Sequence, residues 1–179
     1  MAPDVPTVVL TGLWVMLPAY VPNSVAVVVG GGPPIDGGRR WHGTRLLGDG
    51  KTWRGFLGGT VAGVAVAVAL NALQPFVSTA VPVFPVLVVV ALPLGAMLGD
   101  AAGSFGKRRT GRERGARFPL VDQFSFVCGA LLLSFLLAPS WTLETFTAPV
   151  LLVAVLLTPL LHRGTNGLAY HLGLKDVPW

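Results

Sequence analysis

Val86-Leu87-Val88-Val89-Val90-Ala91-Leu92-Pro93-Leu94-Gly95-Ala96-Met97-Leu98-Gly99-Asp100 carries no charge until its last residue. A helix needs roughly 20 apolar residues to cross a bilayer core about 30 Å thick. The uncharged run around this stretch has that length, and it ends on a carboxylate where hydrocarbon would give way to water. Similar runs flank it on both sides. The expected spans are 7–29, 55–75, 80–105, 119–138 and 146–162, the first interrupted by Pro18 and Pro22. They leave connections at 30–54 and 106–118 and no room for a separate soluble unit. The fold class is therefore an all-α integral membrane protein of five transmembrane helices, with 1–179 as one membrane domain.

Composition agrees. Of 179 residues, 53% are hydrophobic and 12% charged, where a soluble domain carries about 25% charged residues. The first run lacks a basic leader, since Asp4 is the only charge before it, and it is long for a signal peptide. It reads as a retained helix. Cys128, the single cysteine, has no intrachain partner and reads as a packing residue.

Charge sets the topology. Arg39, Arg40, Arg45, Lys51 and Arg54 lie between the first two spans; Lys107, Arg108, Arg109, Arg112, Arg114 and Arg117 follow the third; Arg163 and Lys175 follow the fifth. The other connections hold no Lys or Arg. The positive-inside rule makes the basic side cytoplasmic, with the N-terminus outside. Orientation alone explains such basic loops, but not acids at the membrane boundary beside them.

Those acids are Asp100 and Asp122, both next to hydrocarbon. Ionisable groups there are costly and count as functional candidates. Asp100, Ser104 and Lys107 stand at i, i+4 and i+7 on one helix face, and Asp122 and Ser125 at i, i+3. The spans that carry them are joined by a short loop, so the two carboxylates approach each other. Paired carboxylates repel unless a cation or proton sits between them. Mg²⁺ takes oxygen ligands and usually binds one or two carboxylates plus substrate phosphates, and nearby Lys and Arg suit polyphosphate. The arrangement reads as a Mg²⁺–polyphosphate site. The competing reading is a pair of Asp–Arg salt bridges tying loop to helix.

Gly55, Gly59 and Gly63, and again Gly95, Gly99 and Gly103, form small-xxx-small ladders that bring helix backbones together in lipid. Gly50-Lys51-Thr52 resembles the end of a phosphate-binding P-loop, but Arg45 stands where that motif needs glycine. What remains is a glycine-rich basic loop whose N–H groups could cradle phosphate. His42 reads as a surface residue. The tail from Arg163 to Trp179 reads as interfacial, without assigned chemistry.

Lys51-Thr52-Trp53-Arg54-Gly55, then Gly99-Asp100, Ser104-Phe105 and Lys107-Arg108-Arg109, then Phe118-Pro119 and Asp122-Gln123 together resemble the CDP-archaeol synthase family, archaeal relatives of CDP-diacylglycerol synthase. The resemblance spans essentially the whole chain. It implies a reaction in which CTP and 2,3-bis-(geranylgeranyl)-glycerol 1-phosphate give unsaturated CDP-archaeol and pyrophosphate, with Mg²⁺ as cofactor. It implies Asp100 and Asp122 as metal ligands and, with Lys107, as catalytic residues. Lys51, Thr52, Arg54, Ser104, Arg108, Arg109 and Gln123 are then implied in nucleotide and phosphate binding. The bacterial relatives carry Glu where this chain has Arg54, and a further acid in the fourth motif where Ser125 follows here. CTP, the prenylated glycerol-phosphate lipid and the bilayer are the implied partners, with a homodimer as the assembly considered and no nucleic acid. The implied place is the cell membrane, multi-pass, with the active site facing the cytoplasm. Two other readings of the residues stay open, an anion transporter or channel and a CTP-dependent lipid kinase. Polar residues do not run through the depth of the spans, and no internal repeat is visible, which disfavours transport.

Overall fold

The computed structural model describes residues 4–111, 118–174 and 177–178. Six helices occur in it: α1 (Val5–Val29), α2 (Trp53–Val77), α3 (Val86–Arg109), α4 (Pro119–Leu137), the short α5 (Pro139–Thr145) and α6 (Ala148–His171). A two-residue-per-strand hairpin, β1 (Arg40–Trp41) and β2 (Thr44–Arg45), decorates the connection between α1 and α2. All helices except α5 are long and apolar enough to cross a membrane. Their outward faces expose Val61, Val68, Leu132 and Leu156 at half or more of their surface, which is sensible only where the surroundings are hydrocarbon. The chain is a multi-pass membrane protein. The basic residues gather at the end of the bundle where α1, α3 and α6 finish and α2 and α4 begin.

Three expected boundaries move by more than two residues. The third span begins at Val86 rather than 80, because Pro82 and Pro85 remove donors and disfavour helix in the residues before them. Asn71 and Gln74 clasp this turn. The Asn71 amide donates to the Phe84 carbonyl at 2.9 Å and accepts from the Phe84 N–H at 2.8 Å, and Gln74 donates to Val81 at 3.2 Å. At its other end α3 continues through Arg109, so Lys107, Arg108 and Arg109 ride its last turn rather than a loop. Cations there complement the helix dipole. α6 likewise runs on to His171 instead of ending at 162. Of the expected basic residues, Arg112, Arg114, Arg117 and Lys175 lie outside the described residues, as does Trp179.

The glycine ladders behave as read. A Cβ on Gly99 would sit 2.2 Å from the Ser125 carbonyl oxygen, and one on Gly95 would sit 2.5 Å from that of Gly129. α3 and α4 therefore touch backbone to backbone. On α1, Pro22 supplies no N–H to the Pro18 carbonyl, yet the helix stays continuous. Gly63 closes over that carbonyl, its Cβ position only 2.6 Å away, so α2 shields a polar group that lipid could not satisfy. Between the ladders lies a core of Val15, Met16, Val88, Leu92, Ala96 and Ala130, all fully buried. Cys128, expected to pack inside, is on an exposed face of α4.

Candidate active site

The loop after α1 is ordered around one carboxylate. Asp36, with a side chain 1% exposed, accepts from Arg45 through Nη2 at 2.6 Å and Nε at 3.2 Å. The N–H groups of Gly38, Leu47 and Gly48 complete its shell at 3.0–3.1 Å. The Arg45 guanidinium, and then those N–H groups, hold the Asp36 carboxyl well below the usual carboxylate range. Arg45 also reaches Asp49 at 2.5 Å. The hairpin turns through His42 (φ 48°) and Gly43 (φ 78°), the two positive φ values that a tight two-residue turn needs. The loop's N–H groups thus cradle an internal carboxylate, where the sequence suggested a phosphate.

This frame delivers Lys51. The Lys51 carbonyl accepts from Ile35 N–H at 2.8 Å, and its N–H donates to Gly48 at 3.2 Å. The side chain then crosses to Asp100 on α3 and forms an ion pair. Thr52 caps α2, its hydroxyl accepting from Gly55 N–H at 3.2 Å. On α3, Asp100, Ser104 and Lys107 share the predicted face. Lys107 pairs with Asp122 of α4 at 2.5 Å, and the second Asp122 oxygen accepts from Phe118 N–H at 2.9 Å. The competing reading's salt bridges are present in altered form: the cations are lysines rather than arginines, and only Lys51–Asp100 ties loop to helix.

These groups line one cavity of about 1030 Å³. Lys51, Thr52, Asp100, Ser104, Lys107, Arg108, Asp122 and Ser125 form its polar part; Leu17, Val21, Met97, Phe126 and Leu161 form an apolar part between α1, α3, α4 and α6. Seven of the ten predicted site residues are thereby brought together. The remaining three are elsewhere. Arg109 donates to the carbonyls of Trp41, Thr44 and Arg45 at 2.9–3.2 Å and lies over the Trp41 and Phe105 rings, so it ties the hairpin to α3. Arg54 is exposed with its stem against Gly32, and Gln123 is buried on α4; neither borders the cavity. The sequence reading missed Asp36, whose partners up to twelve residues away give no motif, and the cavity wall supplied by α6.

The helix register places Asp122 opposite Gly103, since a Gly103 Cβ would meet Val121 and Ser125. Asp122 therefore stands about 4–5 Å along the bundle from Asp100, three residues at 1.5 Å each. Among the described residues no three His, Cys, Asp or Glu side chains cluster. The donor set is two carboxylates and a serine hydroxyl, all hard oxygens on one wall, which suits a divalent cation that draws its remaining ligands from substrate and water. The fit has a condition, since each carboxylate already holds a lysine.

Comparison with known proteins assigns the family. A family model described as CarS-like, CDP-archaeol synthase, matches residues 5–179. The CDP-archaeol synthase of Halobacterium salinarum is 58% identical over 98% of this chain and 99% of its own. That of Haloarcula marismortui is 60% identical over 96% and 97%. A solved structure described as an intramembrane enzyme for archaeal membrane lipid biosynthesis superposes with a TM-score of 0.73 at 39% identity, covering 88% of this chain and 94% of that one. With the cavity's residues standing on the motifs that first suggested it, the chain belongs to the CDP-archaeol synthase family.

Proposed function

We propose that the chain transfers the cytidylyl group of CTP to the phosphate of 2,3-bis-(geranylgeranyl)-glycerol 1-phosphate, giving unsaturated CDP-archaeol and pyrophosphate. The observation that carries this reading is the cavity itself. Its charged part opens among the basic residues and its apolar part lies within the membrane-spanning helices, so a nucleotide and a lipid can meet there.

The lipid phosphate oxygen is the nucleophile. It attacks the α-phosphorus of CTP, and the bond from that phosphorus to the bridging oxygen breaks as pyrophosphate leaves. The protein contributes positioning and charge, as in phosphoryl transfer generally. Lys51, Lys107 and Arg108 neutralise the triphosphate, and Ser104 and Thr52 present hydroxyls to it. Asp100 and Asp122 would hold Mg²⁺, which when bound supplies charge neutralisation at the reacting phosphates. For that, Lys51 and Lys107 must leave their carboxylates, and the triphosphate offers both a new anionic partner. One exchange of partners thus frees the metal ligands and engages the nucleotide. Arg54, Arg109 and Gln123 are left out of this site. The basic end faces the cytoplasm of the cell membrane, with the N-terminus outside.

The test is purified protein in detergent with CTP, Mg²⁺ and the lipid phosphate. CDP-lipid and pyrophosphate are expected. Release of CDP with a doubly phosphorylated lipid would make the chain a kinase, and anion flux in proteoliposomes without turnover would make it a transporter. Single cysteines at Ser78 and Thr110, in a Cys128→Ala background, should label from opposite sides; labelling from one side overturns the topology.

A further inference from the structure

We infer that His162 and Asn166 of α6 position the phosphate headgroup of the lipid substrate; this rests on the function proposed above. The fifth span was expected to stop at 162, with no chemistry beyond it. The helix instead continues to His171 and forms a wall of the cavity. His162, Thr165, Asn166 and Ala169 all border the cavity, and their spacing of three and four residues is that of one helix face. α6 therefore turns a polar stripe toward the wall that holds Asp100 and Asp122.

The three polar groups on the stripe are not equivalent. The Thr165 hydroxyl donates to the Leu161 carbonyl at 2.8 Å, a bond within its own helix. The Asn166 amide nitrogen lies 3.0–3.1 Å from the ring nitrogens of His162. Both residues are half-buried, and the amide, nearly equidistant from the two ring nitrogens, holds the imidazole beside its own helix at the cavity wall. An i, i+4 pair of this kind stabilises a helix by only a few tenths of a kcal/mol, and that purely structural role needs no cavity.

The neighbourhood selects which phosphate the pair serves. The cations suited to a triphosphate, Lys51, Lys107 and Arg108, stand on the loop and on α3. α1 packs beside α6, its Tyr20 hydroxyl meeting that of Thr158 one turn before His162, and it lines the cavity with Leu17 and Val21 as well as Asn23 and Ser24. A phosphate monoester that trails two hydrocarbon chains suits a site with an imidazole and an amide at its head and apolar side chains around it. A highly charged triphosphate does not.

The test uses full-length protein in mixed micelles, varying the lipid phosphate at saturating CTP and then the reverse. His162→Ala should raise KM for the lipid phosphate about tenfold or more, the worth of one hydrogen bond to a charged group. KM for CTP should stay within about twofold on the same reasoning. His162→Gln, which keeps a donor, should recover most of the loss, and Asn166→Leu should raise the same KM by less. Tyr170→Ala, on the same helix but off the cavity, should change neither constant. An unchanged lipid KM in folded His162→Ala and Asn166→Leu proteins overturns the inference, as does a rise in KM for CTP instead. Should His162→Ala fail to fold, His162→Gln and Asn166→Leu decide. Direct binding of the lipid phosphate without CTP separates the two claims. A wild type that binds but gives no CDP-lipid refutes the proposed activity, and the subsite then stands or falls on whether His162→Gln and Asn166→Leu alter that binding.

Discussion

Gly99→Ala is the sharpest probe of how the fold places the two aspartates. The added Cβ would lie 2.2 Å from the Ser125 carbonyl oxygen and 3.0 Å from the Gly129 Cα. Heavy atoms in contact prefer about 3.5 Å, so more than 1 Å is missing, and both obstacles are backbone. α3 and α4 must then part by roughly 1 Å, at an overpacking cost of about 1–3 kcal/mol. Asp100 is the next residue on α3, and Asp122 lies one turn from Ser125 on α4. A displacement of 1 Å between reacting groups can cost about a hundredfold in rate. CDP-lipid formation in detergent should therefore fall by about that factor, with a lower melting temperature. Gly106→Ala and Gly164→Ala are the controls. Nothing lies within 4 Å of either Cβ position, and replacing a helical glycine by alanine should gain about 0.5–1 kcal/mol. A Gly99→Ala protein with wild-type activity and melting refutes the close-packing argument. So does Gly106→Ala damage of the same size.

Three further outcomes follow from the site. The exchange Lys51→Asp with Asp100→Lys should restore the tie between loop and helix yet leave the protein inactive if Asp100 holds the metal as proposed; recovered turnover would reduce the pair to a structural salt bridge. Asp36→Asn should weaken the hold on Arg45, which keeps only Asp49, and loosen the hairpin, seen as faster proteolysis after Arg39 or Arg40. The Asp36 carboxyl is depressed on folding, so its contribution is present above the ordinary carboxylate pKa of about 3.9 and fades only as pH falls toward the lower folded value; proteolytic resistance of the loop should be flat from about pH 8 to pH 5. Arg109→Ala should cost stability through the three carbonyls it holds while leaving KM for CTP near its wild-type value, and a large rise in that KM would return Arg109 to the nucleotide site.

The spans were legible in the sequence because lipid imposes long apolar runs and ends them with charge. Asp100, Ser104 and Lys107 were legible because helical spacing fixes a face, and Asp122 because a carboxylate beside hydrocarbon needs a reason. Glycine spacing announced the α3–α4 contact. Less visible were features set by tertiary contact. Arg109 looks like its neighbours Lys107 and Arg108, but a helix turn of 100° per residue aims it at the hairpin. Asp36 sits among glycines and gives no sign that it will collect Arg45 and three N–H groups. The end of α6 was misjudged because polarity was taken as the end of the span, whereas a helix can outlast its apolar stretch when one side borders a polar cavity.

The lysine–aspartate pairs also bear on ionic strength. Open clusters of cations draw a cloud of small anions that substrate must displace, and their affinity falls as salt rises. Lys51, Asp100, Lys107 and Asp122 are only 18–27% exposed, and each charge has its counter-charge built in. Partly buried pairs are screened much less than exposed ones. On the proposed exchange, nucleotide binding trades one internal partner for another and releases few ions, so the site should keep its affinity across a range of salt concentrations that would silence a surface patch of the same charge.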